Sequence, residues 1–234
     1  MPETIIKHTL KTAITMIAFA LVGTFMLAYV FDITREPIEN SEAEARMALF
    51  KQILSDEDYY NDSDDEAHDS PLLKNIVEIA PNDLLGNKTP SKAYIAKRHH
   101  KFAAVILEAI AHDGYSGDIK LLIAIREDGT VSGVRVLAHK ETPGLGDYID
   151  IAHGNWIKLF NEESVEKTST EQWRVKKDGG KFDYMAGATI TPRAVVKAVL
   201  KALQFFEQNQ HMLEEEAEKT SEHKDKDKHE REHL

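Results

Sequence analysis

The sequence predicts an α+β chain: one apolar N-terminal helix of membrane-spanning length, then a domain built on a small antiparallel sheet with helices packed to one side. Three observations predict it. Residues 12–31, TAITMIAFALVGTFMLAYVF, carry no formal charge between Lys11 and Asp32. Three stretches after Phe102 alternate with the two-residue period of strands. Residues 192–208 then return to the helical period, with Val195, Val199, Leu203 and Phe206 on one face.

The span comes first. Its 20 uncharged residues match the length a helix needs to cross a hydrocarbon core of roughly 30 Å. Tyr29 and Phe31 stand at its far end, where interfacial aromatics gather. A buried core helix and a cleaved signal peptide are the alternatives. The first lacks the polar face such helices have, and the second needs a shorter apolar run and a small-residue cleavage site. Lys7 and Lys11 precede the span. Arg35 follows it, and then Glu36, Glu39, Glu42 and Glu44. This bias places residues 1–11 in the cytoplasm and everything after residue 31 outside it, in the periplasm of a Gram-negative cell.

Residues 32–99 read as a juxtamembrane helix and an acidic loop. Ala43, Met47, Phe50 and Leu54 recur at helical steps. The run 56–69 holds eight acids and no Lys or Arg, and is expected as a solvated loop. It lacks the glycine and closing glutamate of a calcium-binding EF-hand. The strands follow as FAAVILEAIA, DIKLLIAI and TVSGVRVLAH. Asp128-Gly129 supplies the turn between the last two, and residues 113–117 (DGYSG) supply another. Residues 100–208 form the expected domain. Residues 209–234 form a charged tail, expected to be solvated and disordered or loosely helical, because from Glu214 on it has nine acids, five bases and little to bury. His211, His223, His229 and His233 lie in or near it and could bind metal adventitiously, but no functional metal site is expected there.

Composition narrows the function. Forty Asp and Glu against 29 Lys and Arg leave a net charge of −11, the wrong sign for binding a nucleic-acid backbone. The absence of cysteine removes disulfides, thiolate metal sites, iron–sulfur clusters and a thiol nucleophile from this chain. No nucleophile, acid–base pair or metal triad stands out, so no catalytic residue and no metal ligand is assigned.

Two stretches carry chemistry. In H139-K-E-T-P-G-L-G146, Pro143-Gly144 makes a turn and Gly146 a second permissive point, so backbone can approach a flat ligand. His139 is expected to hydrogen-bond backbone. In D183-Y-M-A-G-A-T-I-T-P-R193, Thr191 reads as a helix N-cap with Pro192 at the first helical position. Thr189 lies just upstream of that N-terminus, where free N–H groups favour a phosphate. Its small neighbours Ala186, Gly187 and Ala188 leave the hydroxyl open.

Together G114-Y-S-G117, the Asp128-Gly129 turn, V136-L-A-H-K-E-T-P-G-L-G146 with Asp147, Trp156 and D183-Y-M-A-G-A-T189 resemble the G-subunit family of Rnf/Rsx ion-translocating electron transport complexes. They are similar, more distantly, to the C-subunit family of sodium-pumping NADH:quinone reductases. Both are FMN-binding domain families. The resemblance implies a periplasmic FMN-binding domain with FMN as cofactor. A flavin transferase would move FMN from FAD onto the last threonine of a D-x-x-(S/T)-G-A-T pattern. Carried over, that residue is Thr189 and the leading acid is Asp183. Ala186 stands where the pattern has serine or threonine. The resemblance also implies that Glu141, Thr142, Pro143, Gly144 and Leu145 line the flavin ring. The partners it implies are the integral-membrane and iron–sulfur subunits of a complex in the inner membrane, and the transferase. A flavin-free scaffold of the same fold and a free-standing membrane-anchored reductase remain as alternatives.

Overall fold

The computed structural model describes residues 2–54, 75–98 and 101–231, without the side chains of 2–6, 39–40, 42–43 and 219–231. The acidic run 56–69 and the side chains of His223, His229 and His233 lie outside the described residues. The chain divides into two compact units, Met1–Ala48 and Leu49–Leu234.

The first unit is most of one helix, α1 (Pro2–Ile53). The membrane-length and juxtamembrane segments, anticipated as two helices, are therefore one, and Pro37 lies inside it. Between Lys7 and Ile38 it is long and apolar enough to cross a membrane. Its apolar side chains point outward all round, Phe19, Phe25 and Leu27 among them. Thr12, Thr15 and Thr34 donate their hydroxyls to the carbonyls of His8, Lys11 and Val30, four residues earlier. A hydroxyl satisfied by its own helix leaves no unpaired polar group for an apolar environment to expose.

The second unit is built on a five-stranded antiparallel sheet in the order β1-β2-β3-β4-β5: β1 (Ile76–Ile79), β2 (Ser91–Arg98), β3 (Lys101–Gly114), β4 (Gly117–Arg126) and β5 (Val131–Ala138). The last three are the strands the two-residue period predicted, joined by the turns at Tyr115-Ser116 and Asp128-Gly129. The strands β1 and β2 add to them, paired through Tyr94 with Ile106 and Ile76 with Tyr94.

Register explains the core. Ile95, Val105, Ile125 and Val131 form one row across the sheet, and all four face a long C-terminal helix, α2 (Ile190–Arg231). Val195, Val199, Leu203 and Phe206 of α2 are buried there, and Phe206 stacks on Phe102 at 6.3 Å between ring centroids. The next row is Tyr94, Ile106, Ala124 and Gly133, and it faces the other way. The last turn of α1 covers it. Phe50 meets Tyr94 at 4.7 Å between centroids, and a methyl group at Gly133 would stand only 3.0 Å from Ile53. Arg135 donates to the carbonyl and side-chain oxygen of Gln52, each at 3.0 Å. Helical segments therefore flank both faces, where one covered side was expected. The reason is visible in AVIL (104–107) and LLIAI (121–125), continuous buried runs that a sheet covered on both faces requires.

Helix α2 also outruns its expected end near residue 208. It continues to Arg231, with Leu213 and Ala217 buried against the domain and the Lys97 ammonium donating to the Ala217 carbonyl. Two apolar residues four apart, inside a charged stretch, are enough to continue the seam. Between β5 and α2 the chain runs through residues 139–189 in short 3₁₀ turns. Tyr148, Trp156, Phe160, Trp173 and Phe182 hold this region by ring contacts of 4.9 to 6.2 Å. Thr168 and Lys181 both donate to buried Glu163, at 2.5 Å each. Burial alone would raise the Glu163 carboxyl, but these two donors outweigh it and hold it below the usual range.

Candidate functional site

The segment 183–189 is pinned at three points. The Trp156 indole N–H donates to the Asp183 carbonyl at 2.6 Å. The Tyr148 hydroxyl accepts from the Met185 N–H at 3.2 Å and donates to the Ala188 carbonyl at 3.4 Å. Burial pushes the Tyr148 phenol above its ordinary pKa, so it stays a proton donor. Between these anchors the chain turns, with Ala188 N–H on the Met185 carbonyl at 3.1 Å. Gly187 sits at φ +89°, a left-handed conformation that glycine adopts without penalty.

This turn delivers Thr189 to the position immediately before α2. The Thr189 carbonyl accepts the first bond of the helix, from Arg193 N–H at 3.4 Å. Thr189 is therefore the residue that caps by position. Thr191, expected as N-cap, lies inside the first turn, and its hydroxyl instead donates to Glu141 at 2.6 Å. Pro192 is the third helical residue and is tolerated there, because first-turn N–H groups have no intrahelical partner. Ile190 and Thr191 keep two such donors beside Thr189. Thr189 is 9% exposed, and among the described residues its hydroxyl has no hydrogen-bond partner.

A pocket of about 190 Å³ opens next to that hydroxyl. Glu141, Thr142 and Leu145 line one wall, and Gly187, Ala188 and Thr189 another. Of the residues singled out from sequence, these six come together. Pro143 and Gly144 do not line the pocket. They shape the loop, in which the Gly144 N–H donates to buried Asp147 at 2.8 Å. Ala186 is exposed, so the hydroxyl missing there breaks no internal bond. Asp183 is also exposed and pairs with Lys176 at 2.5 Å. His139 accepts the Glu141 N–H on Nδ1 at 3.1 Å, the backbone-bonding role expected of it.

Tyr115, Gly146, Ile190 and Thr191 complete the lining and were not among the residues singled out for the site. Tyr115 was within reach: it stands in the G114-Y-S-G117 turn, and it is 68% exposed at the rim. With Leu145 and Ile190, also half exposed, it gives the rim an apolar surface suited to a flat aromatic ligand. The site thus has an apolar slot, a helix N-terminus whose first-turn N–H groups have no intrahelical acceptor, and an open hydroxyl at their junction. These features fit a flavin mononucleotide: ring in the slot, phosphate at the helix start.

Fold and site define a flavin-binding module, and a family profile described as an FMN-binding domain matches residues 114–204. A second profile, the RnfG N-terminal region, matches residues 1–53. Curated relatives extend over most of the chain. The G subunit of the ion-translocating oxidoreductase complex of Pseudomonas aeruginosa is 44% identical over 207 residues, 88% of this chain and 92% of the relative. The G subunits of the same complex from Vibrio cholerae and Shewanella baltica are 41% and 42% identical, over 87% and 86% of this chain and 92% and 91% of their own lengths. The chain belongs to the RnfG family, the G subunits of ion-translocating oxidoreductase complexes.

Proposed function

We propose that this chain is an electron-carrying subunit of an ion-translocating oxidoreductase complex, with FMN attached through a phosphoester to Thr189. The observation that carries the proposal is the Thr189 hydroxyl. Among the described residues it is unpartnered, and it stands at the start of α2 on the wall of an apolar slot. In maturation the Thr189 Oγ–P bond forms as the pyrophosphate bond of FAD breaks; AMP leaves and the hydroxyl proton is lost to the transferase's base. Asp183 and Ala186 are exposed on the same segment, where a transferase reads them.

Bound FMN supplies one- and two-electron transfer. The protein's residues do the rest. The first turn of α2 offers two N–H donors to the phosphate, Gly187 keeps the approach open, and Leu145 and Tyr115 shield the ring from water. The apolar segment of α1 anchors the domain in the inner membrane, with Lys7 and Lys11 in the cytoplasm and the flavin domain in the periplasm. An ester prevents the cofactor from diffusing away there. The integral and iron–sulfur subunits of such a complex are the electron partners.

Ala186 favours one other reading, a flavin-free scaffold, because the transferase pattern has a hydroxyl at that position. Its exposure argues that the change affects recognition rather than the fold. The test is peptide mass mapping of the full chain made together with its transferase. The FMN mass increment is expected on the peptide holding Thr189. On an illuminated denaturing gel, Thr189→Ala loses all fluorescence and Thr191→Ser keeps it. A bare Thr189 in the wild type overturns the proposal and leaves the scaffold.

A further inference from the structure

Three separate stretches of sequence meet at one side chain. Glu141, in the HKETPGLG loop, is 5% exposed and lines the pocket. Its Oε1 accepts the Ser116 N–H at 3.0 Å, from the G114-Y-S-G117 turn. Its Oε2 accepts the Thr191 hydroxyl at 2.6 Å, from the first turn of α2. Two glycines make room for it. A methyl group at Gly114 would stand 3.0 Å from Oε1, and one at Gly146 would stand 2.6 Å from Oε2. Among the described residues no Lys, Arg or His forms an ion pair with Glu141.

A carboxylate buried without a cation costs solvation free energy that a neutral group avoids. A glutamine of the same shape could make both bonds: its carbonyl would accept from Ser116, and its amide would donate to the Thr191 oxygen. Bracing alone does not call for the charge. The charge instead faces the pocket, beside the N-terminal dipole of α2.

We infer that Glu141 is the positioning residue of the flavin site. It locks the Thr189-bearing helix start against the turn that carries Tyr115, and it sets a fixed negative charge on the wall of the slot. The inference rests on the flavin reading above. Through the brace, Glu141 orients the tethered ring. Through the charge, it disfavours electron uptake and lowers the ring's midpoint potential.

The two roles separate by substitution in the full chain, produced with its transferase and purified in detergent. Glu141→Gln keeps the brace and removes the charge. It is expected to carry covalent flavin at wild-type stoichiometry, with wild-type visible circular dichroism and a raised midpoint potential. Thr191→Val keeps the volume and removes one bond of the brace. It is expected to load fully, with weaker flavin circular dichroism and lower fluorescence anisotropy. Should Glu141→Gln fail to fold, judged by near-ultraviolet circular dichroism, the Thr191→Val result decides the positioning role alone. Wild-type potential in the first variant together with wild-type ring order in the second overturns the inference. So does loss of loading in a folded Glu141→Gln, which would place the residue in attachment. A wild-type chain without flavin would instead be the failure of the proposed function, and the mass of the unsubstituted protein distinguishes the two.

Discussion

Helices α1 and α2 are both long and both rich in Leu, Phe, Val and Ala, yet their phenylalanines have opposite surroundings. Phe25 in α1 is 74% exposed, whereas Phe206 in α2 is 1% exposed. In α1 the apolar residues surround the axis from Lys7 to Ile38, so no single protein face can cover them. In α2 they form one stripe, Val195, Val199, Leu203 and Phe206, and the sheet covers it. The arrangement of apolar residues around a helix, more than their number, therefore separates a helix suited to lipid from one that completes a core. The same comparison explains the site. Only a helix fixed along one face can hold its N-terminus still, and Thr189 stands at that N-terminus.

The sharpest test of the comparison is a matched truncation. Phe206→Ala removes a buried ring and is expected to destabilise the domain by about 3–5 kcal/mol. Phe25→Ala, read by the same urea titration of the detergent-solubilised chain, is expected to change domain stability by less than about 0.5 kcal/mol. Equal losses would break the distinction between the two helices. A smaller effect tests how far the buried stripe extends. Leu213 lies beyond the end expected for α2 and is fully buried, so Leu213→Ala is expected to cost about 2–4 kcal/mol. A neutral result would return residues beyond 208 to a solvated tail.

The smallest effect is a pH dependence at the end of β3, the central strand of the sheet, near α2. The His112 ring bonds Asp118 at 2.8 Å through Nδ1 and the Gly86 carbonyl at 2.7 Å through Nε2. Two acceptors call for two N–H donors, so the folded protein favours the imidazolium. The Asp118 bond and then the Gly86 bond raise its pKa, while burial and Lys88 oppose them. The neighbouring charges are Lys120 beside Asp118, and the Asp113–Lys197 pair, with Lys201 close by. A folded pKa above the unfolded value of about 6.5 gives stability that is full below that pH and lost as pH rises through the folded pKa. Urea midpoints measured from about pH 5.5 to about pH 8.5 are expected to fall slightly across this window in the wild type, and to lose most of that slope in Asp118→Asn, which keeps only the Gly86 bond. An undiminished slope in Asp118→Asn would assign the effect elsewhere.

Much of this architecture could be read from local pattern. The uncharged span is an unbroken apolar length, the β3, β4 and β5 strands are apolar runs between turn signals, and the core face of α2 repeats the helical period; each is a signal carried by near neighbours. Thr189 was legible for a similar reason: Gly187 and Pro192 mark a turn entering a helix. The β1 and β2 strands were less legible, because β1 is only four residues long and SKAYIAKR holds a short continuous apolar middle, A-Y-I-A, with no alternation to mark it as a strand. Thr191 shows the limit most clearly. Threonine before proline is a good N-cap signal, but a carboxylate 50 residues away takes its hydroxyl and leaves the cap to Thr189.

Local order along the chain was enough to establish the membrane-length helix, the hairpins and the residue types around Thr189, because periodicity and turn chemistry act between near neighbours. Which hydroxyl stays free depended on the folded molecule. So did the covering of the sheet's second face by the last turn of α1, and the meeting of three separate motifs on Glu141. Those outcomes turn on contacts between residues tens of positions apart, and such contacts exist only once the sheet has brought the segments together.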